Sequence, residues 1–276
     1  MSGHVLPLAG SMELWTGGSV TTSAHCILAP NPSPWTLDGT NTWLLSAPGS
    51  GEAVVVDPGP AHRGHAAAIR AAADERNLRI ALVLLTHGHV DHAEGAKAFA
   101  ESVGVGVRAL DPEHRLGAEG LSDGDVVAQG DWEVRVVGTP GHSSDSVSFL
   151  LPHDGSILTG DTVLGRGTSL VAWPDGRLGD YLDSLRRLRD LTASAGAERL
   201  LPGHGPVLRS PATVIDAYLA HRAGRLAEVS EVVATGVTDA GEIVAIVYAD
   251  VPREVWPAAE LTVRAQLDYL AVPPTR

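Results

Sequence analysis

Apolar runs, punctuated by glycine and proline, divide this chain into short strands and longer helices. Residues 80–85, Ile-Ala-Leu-Val-Leu-Leu, have no polar face. Such a run predicts a strand covered on both sides, in the middle of a layered α/β domain. Further strands are predicted at 20–28, 41–47, 54–56, 104–110, 146–151, 156–158 and 198–201. Residues 126–127 and 132–137 predict a hairpin that turns near Gly130 and Asp131. Apolar positions at helical spacing predict helices over 62–77, 93–100 and 181–195, the last with a core-facing stripe of Leu182, Leu185, Leu188 and Leu191. Strands and helices alternate in two similar halves, which predicts an α/β fold of two sheets between outer helices.

From residue 210 the pattern changes to helices alone, at 211–233, 240–248 and from Glu254 or Pro257 to 270. The chain therefore reads as two domains, 1–209 and a small helical appendage, 210–276. Between the strands of the first half, the Pro-rich stretch 30–40 is too polar for core. Its Trp35 reads as an exposed aromatic, a loop anchor at least as readily as a substrate contact.

Charge narrows the partners. The chain has 33 acidic against 20 basic residues, a formal charge of −13, which works against non-specific capture of nucleic acid. No apolar run approaches the length of a membrane span, so no membrane association is expected. The start of the chain has neither a basic segment nor a sustained apolar one, so no signal peptide is expected. The single cysteine, Cys26, excludes an internal disulfide and fits a reducing, cytoplasmic setting.

The chemistry is concentrated after the central strand, in Thr86-His87-Gly88-His89-Val90-Asp91-His92. This turn leaves the C-terminal end of a strand, where open α/β sheets place their ligands. His87 and His89, two apart in extended chain, point to one side, while Asp91 and His92 face a second point at the head of a helix. A core cluster of this kind would repel itself when protonated and leave ring nitrogens without partners, so two metal ions side by side account for it better than packing does. Three later turns repeat the theme: Gly138-Thr139-Pro140-Gly141-His142, Leu158-Thr159-Gly160-Asp161-Thr162 and Leu201-Pro202-Gly203-His204-Gly205. Each places a His or Asp beside glycine at a strand end, where tight turns and close backbone approach are needed.

Two cations about 3.5–4 Å apart share a bridging water and lower its pKa towards neutrality. The hydroxide so formed attacks an electrophilic carbon or phosphorus, and Asp91 would orient it and help move its proton. Nitrogen and carboxylate donors without thiolate suit zinc (two Zn2+ per chain), and manganese or iron fits the same set.

The series from Thr86 to His92, His142, Asp161 and His204 resembles the metallo-β-lactamase superfamily over residues 20–208. That resemblance implies an αββα sandwich. It also implies that His87, His89 and His142 hold one metal, Asp91, His92 and His204 the other, and that Asp161 bridges them. A β-lactamase proper usually has cysteine where Asp161 stands, so the ligand set is more similar to that of glyoxalase II and the nuclease branches. The stretches 31–43, 160–168 and 201–207, with His221-Arg222, are similar to the β-lactamase-like protein 2 family. That family ends in a winged-helix-like domain and includes animal endoribonucleases acting on single-stranded RNA and fungal thioesterases acting on carrier-bound polyketides.

The leading expectation is a dinuclear metal hydrolase of an ester, a thioester or a similar small substrate. The alternative is a metal-dependent endoribonuclease on single-stranded RNA. Behind these stand a DNA-binding metal sensor and a single-iron enzyme acting on oxygen and a thiol. The acidic charge, and only six residues after the last expected helix for a wing, weigh against nucleic acid and leave the appendage as a lid or a homodimer contact. Arg166, Arg222 and Arg225 read as surface salt-bridge residues first, and as contacts to a phosphate-bearing substrate second.

Overall fold

A computed structural model describes residues 14–129 and 132–272. The expected hairpin turn at Gly130 and Asp131 lies outside them. Two six-stranded mixed sheets form the body. The first contains β1 (Gly18–Ser19), β2 (Ala24–Leu28), β3 (Asn41–Leu45), β4 (Glu52–Val56), β5 (Arg79–Leu84) and β6 (Val107–Arg108), side by side in that order. The second contains β7 (Val126–Gln129), β8 (Trp132–Gly138), β9 (Val147–Leu151), β10 (Ser156–Gly160), β11 (Arg199–Pro202) and β12 (Leu208–Arg209), again in sequence order. The helices are α1 (Arg63–Asp74), α2 (Val90–Ala93), α3 (Ala96–Val103), α4 (Leu178–Ser194), α5 (Pro211–Ala234), α6 (Ala240–Val247) and α7 (Trp256–Tyr269).

Alternation along buried strands explains why they carry no polar face. In β4, Val54 and Val56 point between the sheets, towards Val136, Phe149 and Leu158, whereas Ala53 and Val55 point outward to Ile69 of α1 and Phe99 of α3. On the other side, Leu150, Ile157 and Leu200 bury against Tyr181 and Leu185 of α4 and Ile215 and Tyr218 of α5. The result is the expected four-layer αββα sandwich. The long α5 also leaves this body: its Val229 packs with Ile243 and Val244 of α6 and Val263 and Leu267 of α7, a separate apolar core. Among the described residues no strand follows β12.

Three expectations need correction. The helix expected at 93–100 is broken into α2 and α3 at Gly95, whose amide donates to Gly59 O at 2.9 Å. A Cβ on Gly95 would lie 2.8 Å from Pro60 O, so only glycine lets the chain come this close. The strand expected at 20–28 begins at Ala24, because Val20 N and Ala24 O close a turn, with the short β1 before it. The strand expected to be last, at 198–201, is followed by β12, which pairs antiparallel with it.

Between the sheets, Phe149 is fully buried. Phe149→Ala is expected to destabilise the protein by about 3–5 kcal/mol through lost burial and the cavity left behind, read as a fall in the urea midpoint.

Candidate metal centre

β4 and β5 run parallel, so Asp57 and the turn carrying residues 85–92 emerge at the same end of the first sheet. In the second sheet, β8 and β10 each run antiparallel to β9, and β10 runs parallel to β11. Their C-terminal ends, leading to His142, Asp161 and His204, therefore also meet at one edge. Two backbone hydrogen bonds join the sheets there: Val147 N donates to Thr86 O at 2.8 Å, and Asn41 N to Gly203 O at 2.7 Å. Asn41 reinforces the second with its side-chain amide, which donates to Pro202 O at 2.9 Å and Gly205 O at 2.8 Å. The His204 loop is thereby held from the opposite sheet.

All seven side chains singled out in the sequence converge at this edge. His87, His89 and His142 bring three ring nitrogens together, with His89 Nδ1 3.1 Å from His87 Nε2 and 3.0 Å from His142 Nε2. Asp91, His92 and His204 form a second group: His204 Nε2 lies 3.1 Å from Asp91 Oδ2 and 3.2 Å from His92 Nε2. Asp161 stands between them, its Oδ2 3.3 Å from His204 Nε2 and 3.8 Å from His142 Nε2. Its Oδ1 is buried without a hydrogen-bond partner. A tetrahedral ion with metal–nitrogen bonds of about 2.0–2.1 Å has donor atoms about 3.3 Å apart. The spacings in both groups fit such an ion.

Outer partners set which nitrogen faces inward. His142 Nδ1 lies 2.7 Å from Leu170 O and His204 Nδ1 3.2 Å from Gly39 O. A carbonyl only accepts, so each Nδ1 carries its hydrogen outward and Nε2 is the nitrogen left to face a cation at the centre. The reading of the sequence missed the most connected of these partners, Asp57. Its Oδ1 accepts from Thr86 N at 2.8 Å; its Oδ2 accepts from Thr86 Oγ1 at 2.6 Å and from His92 Nδ1 at 2.9 Å. Thr86 Oγ1 in turn lies 3.0 Å from His87 Nδ1. One buried carboxylate thus orients a histidine of each group. Its signal in the sequence is the Asp-Pro-Gly that ends β4, beside the strand leading to the histidines. Gly203 serves by its size, since a Cβ there would run into Asp161 Oδ1.

Electrostatically the centre is split. Burial, together with the other rings, pushes His87 well below the ordinary histidine value. Burial opposes protonation of His92 and His204 too, but neighbouring carboxylates outweigh it. Asp161, Asp91 and Asp57 raise His92 well above its usual value, and Asp161 and Asp91 raise His204 to about 9. Against the effect of burial, His92 and His204 hold Asp91 down at about 2. Acidic and basic groups so arranged hold protons where cations belong.

The centre opens into a cleft of about 450 Å3. Its walls include Trp35 of the loop between β2 and β3, Arg222 and Arg225 of α5, and Val251, Val255 and Ala258 of the appendage. Trp35 is half exposed at the rim. The arginines depart in part from the surface role expected of them. Arg166 pairs with Asp38 at 2.6 Å and Arg225 with Glu228 at 2.9 Å, but Arg222 is buried and has no ion pair among the described residues.

Comparison with known proteins agrees with this geometry. The pattern of the Metallo-beta-lactamase superfamily matches residues 35–204. The chain belongs to that superfamily. Membership makes it a hydrolase-type enzyme whose site takes a divalent metal. A second pattern, the Beta-lactamase associated winged helix domain, matches residues 240–271. The chain is 32% identical to a Beta-lactamase-like protein 2 homolog of Caenorhabditis elegans, over 88% of this chain and 82% of that one. It is 36% identical to an Atrochrysone carboxyl ACP thioesterase of Aspergillus fumigatus, over 67% of this chain and 56% of the relative. Among solved structures, a Beta-lactamase domain protein from Burkholderia ambifaria superposes with a TM-score of 0.79 at 24% identity, covering 97% of this chain and 91% of that one.

Two outcomes follow from the centre. Metal uptake by metal-free protein is expected to expel protons from His92 and His204. Because His204 is raised to about 9, metal affinity should increase as pH rises towards that value, and proton release should shrink above it, as read with a pH indicator in weakly buffered solution. Asp57→Ala is expected to weaken metal affinity by about 10–100-fold, measured by competition with a chelator, because the orientation of His92 and Thr86 is lost.

Proposed function

We propose that this protein is a dinuclear zinc hydrolase of an ester or thioester, with His87, His89 and His142 holding one ion, Asp91, His92 and His204 the other, and Asp161 shared. The observation that carries this reading is the presence of two donor groups, side by side, at the base of one cleft. A single-iron enzyme acting on oxygen needs only the first group, and the second, at equal spacing, favours the two-ion reading. Bound there, the ions would supply a water acidic enough to act as a nucleophile near neutral pH and a Lewis acid for the oxygen that gains charge.

The chain's own groups do the rest. Asp91 is ionised at neutral pH and faces the cleft, so its carboxylate can take the proton of the attacking water as that oxygen bonds to the acyl carbon, and pass it to the thiolate or alkoxide released when the acyl bond breaks. Val251, Val255, Ala258 and Ala259 give the far wall an apolar surface on which an acyl chain can lie. The winged-helix region thus serves as a wall of the substrate cleft. The thioesterase named among the relatives and the formal charge of −13 support an acyl substrate over a polyanion. The second reading, cleavage of single-stranded RNA, draws on the arginines in the cleft.

Asp161→Ala and His89→Ala are each expected to lower bound metal and to abolish hydrolysis of thioesters. Elemental analysis of protein purified without added metal should give close to two zinc ions per chain. Full turnover in either variant would refute the assignment. Labelled single-stranded RNA, incubated with and without chelator, decides the second reading: chelator-sensitive cleavage in place of thioester turnover would establish it.

A further inference from the structure

The metal centre leaves one charged group in the cleft without a role. Arg222 lines the cleft on α5, yet it is only 4% exposed. One guanidinium nitrogen donates to Ser169 O, the carbon of the guanidinium lies 5.0 Å above the Tyr181 ring, and Nε has no hydrogen-bond partner. No carboxylate pairs with it among the described residues, although acidic residues outnumber basic ones by 13 and the neighbouring Arg166 and Arg225 each have one. A buried guanidinium without a counter-charge is costly. Stacking on Tyr181 offsets part of that cost. The carboxylates Asp91 and Asp161, which share the cleft, are committed to His92 and His204 and to the ions they would hold.

We propose that Arg222 is the seat of an oxyanion carried by the substrate, so that the enzyme selects an ester or thioester bearing a carboxylate or a phosphate close to the bond it breaks. This rests on the hydrolase reading above. Position supports it: Ser169, which accepts from Arg222, has its Oγ 3.3 Å from His142 Nδ1, so the guanidinium adjoins the first donor group. Arg225 lies three residues on, along the same face of α5, and its Nε likewise has no hydrogen-bond partner. Guanidinium is suited to the task, since its fork of donors meets the two oxygens of a carboxylate or phosphate together. The anion has two sources of one chemistry, a carboxylate on the acyl arm or a phosphate on the thiol arm.

The test compares three thioesters: butyryl-N-acetylcysteamine, which is neutral; succinyl-N-acetylcysteamine, with a carboxylate on the acyl arm; and butyryl-phosphopantetheine, with a phosphate on the thiol arm. The wild-type enzyme is expected to prefer one anionic substrate over the neutral one by at least about tenfold in kcat/KM, mainly through KM, and the preferred arm identifies the source. Arg222→Gln, which keeps a donor for Ser169 O, should bring that ratio to within about threefold, and Arg222→Lys should restore part of it. A wild-type ratio near one overturns the proposal, as does an Arg222→Gln variant that slows charged and neutral substrates alike, the result of a purely structural role. If Arg222→Gln does not fold, the wild-type ratio and Arg222→Lys decide. Turnover of none of the three would count against the hydrolase reading instead. Inorganic phosphate and succinate would then be titrated into equally metal-loaded wild type and Arg222→Gln. Binding weakened about tenfold or more in the variant sustains the subsite, and equal binding overturns it.

Discussion

Donor atoms from both sheets face one another across 3.0–3.4 Å at the sandwich edge, an arrangement that repels itself unless protons or cations lie between them. Everything around the centre serves to hold that arrangement. The parallel course of β4 and β5, and of β10 and β11, brings the donor turns to one edge, and Asp57 fixes the rings of His87 and His92 from behind. The four-layer fold thus supplies what a loop alone cannot: rigid strand ends at fixed separation.

The cleft joins two bodies of different character. One wall carries polar groups at strand ends; the other is a small helical unit with its own apolar core. Their connection is α5, which packs at its start against the second sheet and at its end against α6 and α7. Arg222 and Arg225 sit along this shared helix, and their position relative to the donors is set by packing at both its ends.

Most of the sheet framework, and the seven side chains that converge at its edge, were legible, and for a physical reason. Buried strands need apolar residues on both faces, and donor side chains need flanking glycines, so both leave marks within a few consecutive positions. What escaped depends on contacts distant in sequence. Gly95 breaks a helix because of Pro60, 35 positions earlier, and β12 exists because β11 offers it an edge. Asp57 looked like the end of a strand, since its partners Thr86 and His92 lie 29 and 35 positions away. Arg222 reads as a surface residue from its charge alone, although its spacing from Ile215, Tyr218 and Val229 puts it on the buried stripe of α5.

The two donor groups have one topological property in common. The first takes His87 and His89 from one sheet and His142 from the other; the second takes Asp91 and His92 from one and His204 from the other. A cation in either group would staple the halves of the chain together, closing a loop of dozens of residues as a disulfide does. This chain has one cysteine, buried and donating a hydrogen bond to Asn41 Oδ1 at 3.3 Å, and cannot make such a link covalently. Coordination would give its halves a reversible cross-link, one whose strength follows the supply of metal.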